Sequence, residues 1–148
     1  MIIFLMKDYL KYWRVIRYYT KAKYGISTPE LEMLLFLRSE TYFSKDKFGE
    51  FNELISWDKN RFEKLRQAGW IQVFRKRQGK RKALYQLSYK TKRMLTSIYK
   101  KLEGEEISEL EGANPLFAKN VSYTDKVYRN FIKSINAFTR QQRYRSDL

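Results

Sequence analysis

The stretch Ile71-Gln72-Val73-Phe74-Arg75-Lys76-Arg77-Gln78-Gly79-Lys80-Arg81-Lys82-Ala83-Leu84-Tyr85-Gln86-Leu87 decides how this chain reads. Six cations surround one glycine. Apolar residues lie on either side, at Ile71, Val73 and Phe74 and again at Leu84, Tyr85 and Leu87. The pattern predicts two strands, over 70–74 and 83–87, closed into a β-hairpin with a cationic tip. The charge runs beyond the tip: from Lys64 to Lys101 there are thirteen lysines and arginines and no acid. Nucleic acid is the commonest polyanion such a finger could serve, with a merely solvated loop as the bland alternative.

On the N-terminal side of the hairpin, Ser56 can cap a helix from Trp57 to Ala68, with Gly69 as its stop. Phe62 and Leu65 would point inward, leaving Trp57, Asn60, Arg61 and Lys64 on a neighbouring exposed face. Asn can bond adenine in two places and Arg guanine in two, each pair worth about 1–3 kcal/mol of base discrimination. Trp57, Lys59, Asn60, Arg61 and Lys64 are therefore the candidate base-reading set, although Trp57 suits packing better than reading. A solvated helix face is the alternative. Ser44 opens a shorter helix through Phe48, Phe51 and Leu54, with Lys45 and Lys47 on its polar side as candidate phosphate contacts. Ser39 to Phe43 reads as a turn. Before it, Ser27 or Thr28 can cap a helix with Pro29 in its first turn and a core stripe at Leu31, Leu34, Leu35 and Leu37.

On the C-terminal side, Ser88 caps a helix through Met94, Leu95, Ile98 and Leu102. Glu103 to Glu111 carries five acids in a loop bracketed by Gly104, Gly112 and Pro115. It could repel DNA, cap the basic lobe, or bind nothing. Long amphipathic helices are predicted at both ends, over 2–24 and 122–143. Leu5, Tyr9, Trp13 and Ile16 on the first, with Val127, Phe131, Ile135 and Phe138 on the second, form stripes too broad for one small lobe to cover. They are the candidate dimer surface, against the alternative of a large intramolecular bundle.

Three helices followed by a β-hairpin, between long terminal helices, resembles the MarR family of transcription regulators. The likeness rests on Ser56-Trp57-Asp58-Lys59-Asn60-Arg61-Phe62-Glu63-Lys64-Leu65-Arg66-Gln67-Ala68-Gly69-Trp70-Ile71. It rests also on Arg81 followed by Leu87-Ser88, similar to a wing arginine followed by Leu-Thr. The chain departs from the family pattern at Gly79, where an acid is common before the wing arginine. It departs also at Thr91, where a glycine is common, and at Asp58 and Arg61, which are often apolar. The resemblance implies a mainly α fold with a small β-hairpin: a winged helix-turn-helix with long N- and C-terminal dimerisation helices. It implies one domain over 1–148, with 27–102 as the DNA-binding lobe and 103–121 as an acidic linker. A homodimer on a pseudo-palindromic duplex site follows from it.

The wing residues Arg75, Lys76, Arg77, Lys80, Arg81 and Lys82 can meet phosphates beside the minor groove, with Arg81 the choice for insertion. Two protomers each neutralising about five phosphates would give a salt slope near −9, at about −0.9 per phosphate.

The 148 residues carry a net charge of +15 and neither cysteine nor histidine. Disulfides, thiolate sites and imidazole acid–base chemistry are excluded. The serines that start helices are explained by capping better than by nucleophilic work, so no enzyme, cofactor or metal is expected. Met1 to Met6 is apolar but too short for a span and lacks the marks of a signal peptide. A cytoplasmic protein with no membrane partner is expected, in the host cytoplasm or the virion if the source is viral. A phage source suits the composition, which fits a small AT-rich genome. A small-molecule effector is indicated by no residue, and core packing explains Tyr9, Trp13 and Tyr18 better than a pocket. The leading expectation is a duplex-binding regulator, a repressor acting as a homodimer. The rival is a structural or packaging protein that neutralises nucleic acid with the same winged helix.

Overall fold

The computed structural model describes residues 9–47, 49–50 and 59–147. Expectations for Leu5, Phe48, Phe51, Leu54, Ser56, Trp57 and Asp58 lie outside the described residues. The elements in chain order are α1 (Tyr9–Tyr24), α2 (Thr28–Leu37), α3 (Lys59–Gln67), β1 (Ile71–Arg75), β2 (Leu84–Leu87), α4 (Tyr89–Leu102), a 3₁₀ turn (Pro115–Phe117) and α5 (Tyr123–Asp147). Residues 45–47 and 49–50 are also helical. The fold is mainly α with one two-stranded antiparallel hairpin, the helical and hairpin order of a winged helix. No described helix is long and apolar enough to cross a membrane.

Two compact units form, Ser27–Ser97 and Met1–Ile26 with Ile98–Leu148. In the first, Ser27 caps α2 by accepting from the Glu30 N–H, and Pro29 sits in the first turn, where its missing donor costs nothing. Leu31, Met33, Leu34 and Leu37 bury one side of that helix, and Phe62 and Leu65 bury one side of α3. The hairpin joins this core through Ile71, Tyr85 and Leu87. Phe62 meets the Tyr85 ring edge-on, with centroids 4.9 Å apart.

β1 sits one residue later than expected, and β2 begins one residue later but ends at Leu87 as expected. Ile71 pairs with Leu87 and Val73 with Tyr85, but Arg75 pairs with Leu84, so Phe74 is the extra residue of a bulge. The segment expected to be only a turn, Ser39 to Phe43, ends in a third short strand contact. Phe43 N–H donates to Tyr85 O at 2.9 Å, and Tyr85 N–H to Phe43 O at 2.8 Å. Two bonds at one residue leave no periodic pattern in a sequence. Tyr42 then lies against Phe74, with ring centroids 3.9 Å apart.

The other unit is built on α1, α5 and the chain between α4 and α5. Its interior holds Tyr12, Val15, Ile16 and Tyr19 of α1 with Ile107, Leu116 and Ile132. Tyr18 stacks on Tyr128 at 3.9 Å and donates to Asp125 Oδ1 at 2.5 Å. Donation to that carboxylate, chiefly, pushes the Tyr18 hydroxyl up to about 12.

The acidic loop is a docked strap. Ile107 is buried, and Asn136, 1% exposed, grips its main chain from both sides. The Ile107 N–H donates to Asn136 Oδ1 at 2.9 Å, and Asn136 Nδ2 donates to Ile107 O at 2.7 Å. Glu106 pairs with Arg140 and with Arg143, and Glu109 takes Arg140 at 2.9 Å. Of the three roles open to these acids, none describes this: Glu106 and Glu109 tie the strap to α5. Arg143, then Arg140, hold the Glu106 carboxyl below its ordinary value. A depressed carboxylate pKa adds stability above the unfolded value, which is lost as pH falls through the folded one. This unit should therefore melt lower on acidification below about pH 4. Circular-dichroism melts of E106Q should show a smaller loss over the same range, and an equal loss would remove Glu106 as its source.

Candidate nucleic-acid interface

The hairpin tip is a two-residue turn. Gln78 N–H donates to Arg81 O at 3.0 Å and Arg81 N–H to Gln78 O at 2.9 Å, with Gly79 at φ +59° inside the turn. Positive φ at that place suits glycine and explains why the run of cations is broken there. The six wing cations divide into two sets. Arg75 Nη2 donates to Lys82 O at 3.1 Å, and Arg77 Nε donates to Gly79 O at 3.2 Å, so both arginines brace the wing. Lys82 pairs with Asp46. Lys76, Lys80 and Arg81 are exposed, and their side chains make no hydrogen bond or ion pair among the described residues.

On α3, Asn60 and Lys64 are exposed and lie one turn apart on the same face. Arg61 is half-buried, and Lys59 is the first residue of the helix. Glu63, next to this face, takes Arg66 at 2.8 Å and Lys45 at 3.1 Å, and the two cations lower its pKa in that order. Lys47 pairs with Glu50 at 3.2 Å and Glu40 at 3.7 Å. Lys45 and Lys47, expected as phosphate contacts, are ion-paired with these acids. Exposed pairs of this kind are worth about 0–1 kcal/mol, so exchanging them for phosphate costs little.

The rear of α3 is closed by Gly69, as expected, and by Lys90 and Thr91, whose part in it the sequence does not show. Gly69, at φ +84°, ends the helix: Gly69 N–H donates to Arg66 O at 3.0 Å, and Trp70 N–H donates to Leu65 O at 2.9 Å. Lys90 Nζ then donates to Ala68 O at 2.7 Å from above the Trp70 ring, 4.1 Å from its centroid. Thr91, fully buried, donates to Trp70 O at 2.7 Å. These contacts join residues 21 and 22 positions apart, beyond the reach of any local pattern.

A cationic hairpin thus stands beside a helix with an exposed polar face. The chain is similar in structure to AbfR. It aligns with AbfR in a disulfide-formed state at 13% identity and a TM-score of 0.47, covering 90% of this chain and 82% of that one. Reduced AbfR bound to DNA aligns at 14% identity and a TM-score of 0.46, covering 84% and 80%. No family model matches the chain, and no curated protein matches it.

In the unit of α1 and α5, Tyr9 is exposed, and Trp13, Val127, Phe131, Ile135 and Phe138 are half-buried. Ile16 departs from its expected place on a dimer surface: at 0% exposure it belongs to the core of its own unit. Among the described residues, no group of acids is placed to hold a metal ion.

Proposed function

We propose that this protein is a sequence-specific, duplex-DNA-binding transcription regulator that acts as a homodimer and represses nearby genes. One observation carries the reading. A single compact unit presents three cations without an ion pair or hydrogen bond among the described residues at the tip of a braced hairpin, Lys76, Lys80 and Arg81, together with a helix whose exposed face offers Asn60 and Lys64. The wing supplies affinity through phosphates and the helix supplies discrimination through base edges. The half-buried stripe Val127, Phe131, Ile135 and Phe138 on α5, with Tyr9 and Trp13 on α1, is the surface for the second copy.

Selection of bound duplexes from a random pool tests this directly. Recovered half-sites should lie about one helical turn apart, and the free protein should run at about twice the 18.1 kDa of one chain. Binding without sequence preference, below about a thousandfold over random DNA, would instead favour a packaging protein on the same winged helix.

The divided wing lowers the expected salt dependence. With Lys76, Lys80 and Arg81 of each protomer on phosphates, about six neutralised phosphates give a slope of log K against log salt near −5. A slope steeper than about −9 would mean that Lys45, Lys47 and Lys82 leave their acids and join in.

A further inference from the structure

The last turn of α3 is held by groups from outside the helix, and the way it is held bears on base reading. A helix ends with carbonyls that lack partners within the helix. Here two of them, on Leu65 and Arg66, are satisfied by the turn at Gly69 and Trp70. Two residues beyond Arg66, Ala68 O receives the Lys90 ammonium at 2.7 Å. That places a positive charge at the negative end of the helix dipole. The same ammonium sits over the Trp70 ring, which fixes its approach from a second direction. The space is filled: a Cβ on Gly69 would come within 3.2 Å of Lys90 Nζ. One residue on, Trp70 O takes the Thr91 hydroxyl at 2.7 Å and the Ser88 N–H at 3.1 Å, and the Ser88 and Thr91 hydroxyls lie 2.9 Å apart. The first turn of α4 thus grips the exit of α3 at two carbonyls close in sequence.

We infer that Lys90 is a positioning residue for base recognition: it sets the rotation and axial seat of α3, and hence where Asn60 and Lys64 point. The inference rests on the proposed duplex-binding function. Lys90 is itself exposed and cationic, so the competing role is a plain phosphate contact. The two roles predict different things. A phosphate contact sets affinity and salt slope for every sequence alike. A positioning contact sets the ratio between the chosen sequence and others, because bidentate base bonds tolerate little displacement.

The experiment compares wild type, K90M and K90R on the duplex selected by the wild type and on a scrambled duplex, across salt concentrations. K90M keeps the stem and loses the ammonium; K90R keeps a donor and a ring-stacking cation. K90M should lower the selected-to-scrambled ratio about tenfold with the salt slope unchanged, and K90R should recover most of it. In the free proteins, amide exchange at Gly69 and Trp70 should quicken in K90M and not in K90R. K90Q, measured in the same way, replaces K90M if the latter does not fold. A slope shallower by about one unit for each phosphate that Lys90 had neutralised, with the ratio kept, would make it a phosphate-binding residue and overturn the inference. Unchanged exchange at Gly69 and Trp70 would overturn it as well. A wild type that selects no sequence would end the regulator reading itself, whatever the exchange data show, and the positioning role would fall with it.

Discussion

Replacing Lys76, Lys80 and Arg81 together by glutamine should lower duplex affinity by about four orders of magnitude at 0.15 M salt, without unfolding the protein. The size follows from counterion release. Three cations in each of two protomers neutralise about six phosphates, and about 0.9 for each removes roughly five units of salt slope. The melting temperature should stay within about 2 °C, because surface changes away from internal contacts usually move stability by less than about 0.5 kcal/mol. These three side chains make no such contact among the described residues. Triple substitution of Arg75, Arg77 and Lys82 should behave otherwise. It takes away two bonds to wing carbonyls and the pair with Asp46, so wing order should suffer along with affinity. Titration on one duplex with both variants, beside their melts, separates the two sets. A folded glutamine variant that binds like the wild type would remove the wing from the interface.

Asn136→Ala should cost about 3 kcal/mol of stability, a large effect for one polar side chain. Its amide satisfies both main-chain groups of Ile107 and also donates to Glu109 Oε2 at 3.3 Å. Truncation leaves the Ile107 N–H and C=O buried without partners, at about 1–3 kcal/mol for an orphaned group. Asn136→Leu should do no better, since it restores volume but neither hydrogen bond. Urea denaturation reads the result, and a loss below about 1 kcal/mol would show that the strap finds other partners.

The hairpin was the most legible part of the chain, because its signals are local. Alternating apolar residues, a glycine and a dense charge run all fall within seventeen positions, Ile71 to Leu87. The start of α2 was equally clear from Ser27 and Pro29, as was the stop of α3 at Gly69. Contacts that span the chain were not. The Phe43–Tyr85 strand contact joins residues 42 positions apart through the backbone alone. Asn136 reaches Ile107 across 29 positions, and nothing about an asparagine in an amphipathic helix marks it as a clasp. The acids of 103–111 read as a charge patch because the partners of Glu106 and Glu109, Arg140 and Arg143, lie far along the chain. The stripe places Ile16 on a surface because helical periodicity shows which residues are apolar, but not which element will cover them.

Two of the wing's three arginines spend their hydrogen bonds on the wing itself. A loop that must become ordered as it meets its target gives up conformational entropy at that moment, and the loss weakens the complex. A finger already stiffened by Arg75 and Arg77 has met that cost during folding. In the proposed complex the main chain that carries its remaining cations would arrive already ordered, so the hairpin would select for the separation between phosphates as well as their charge.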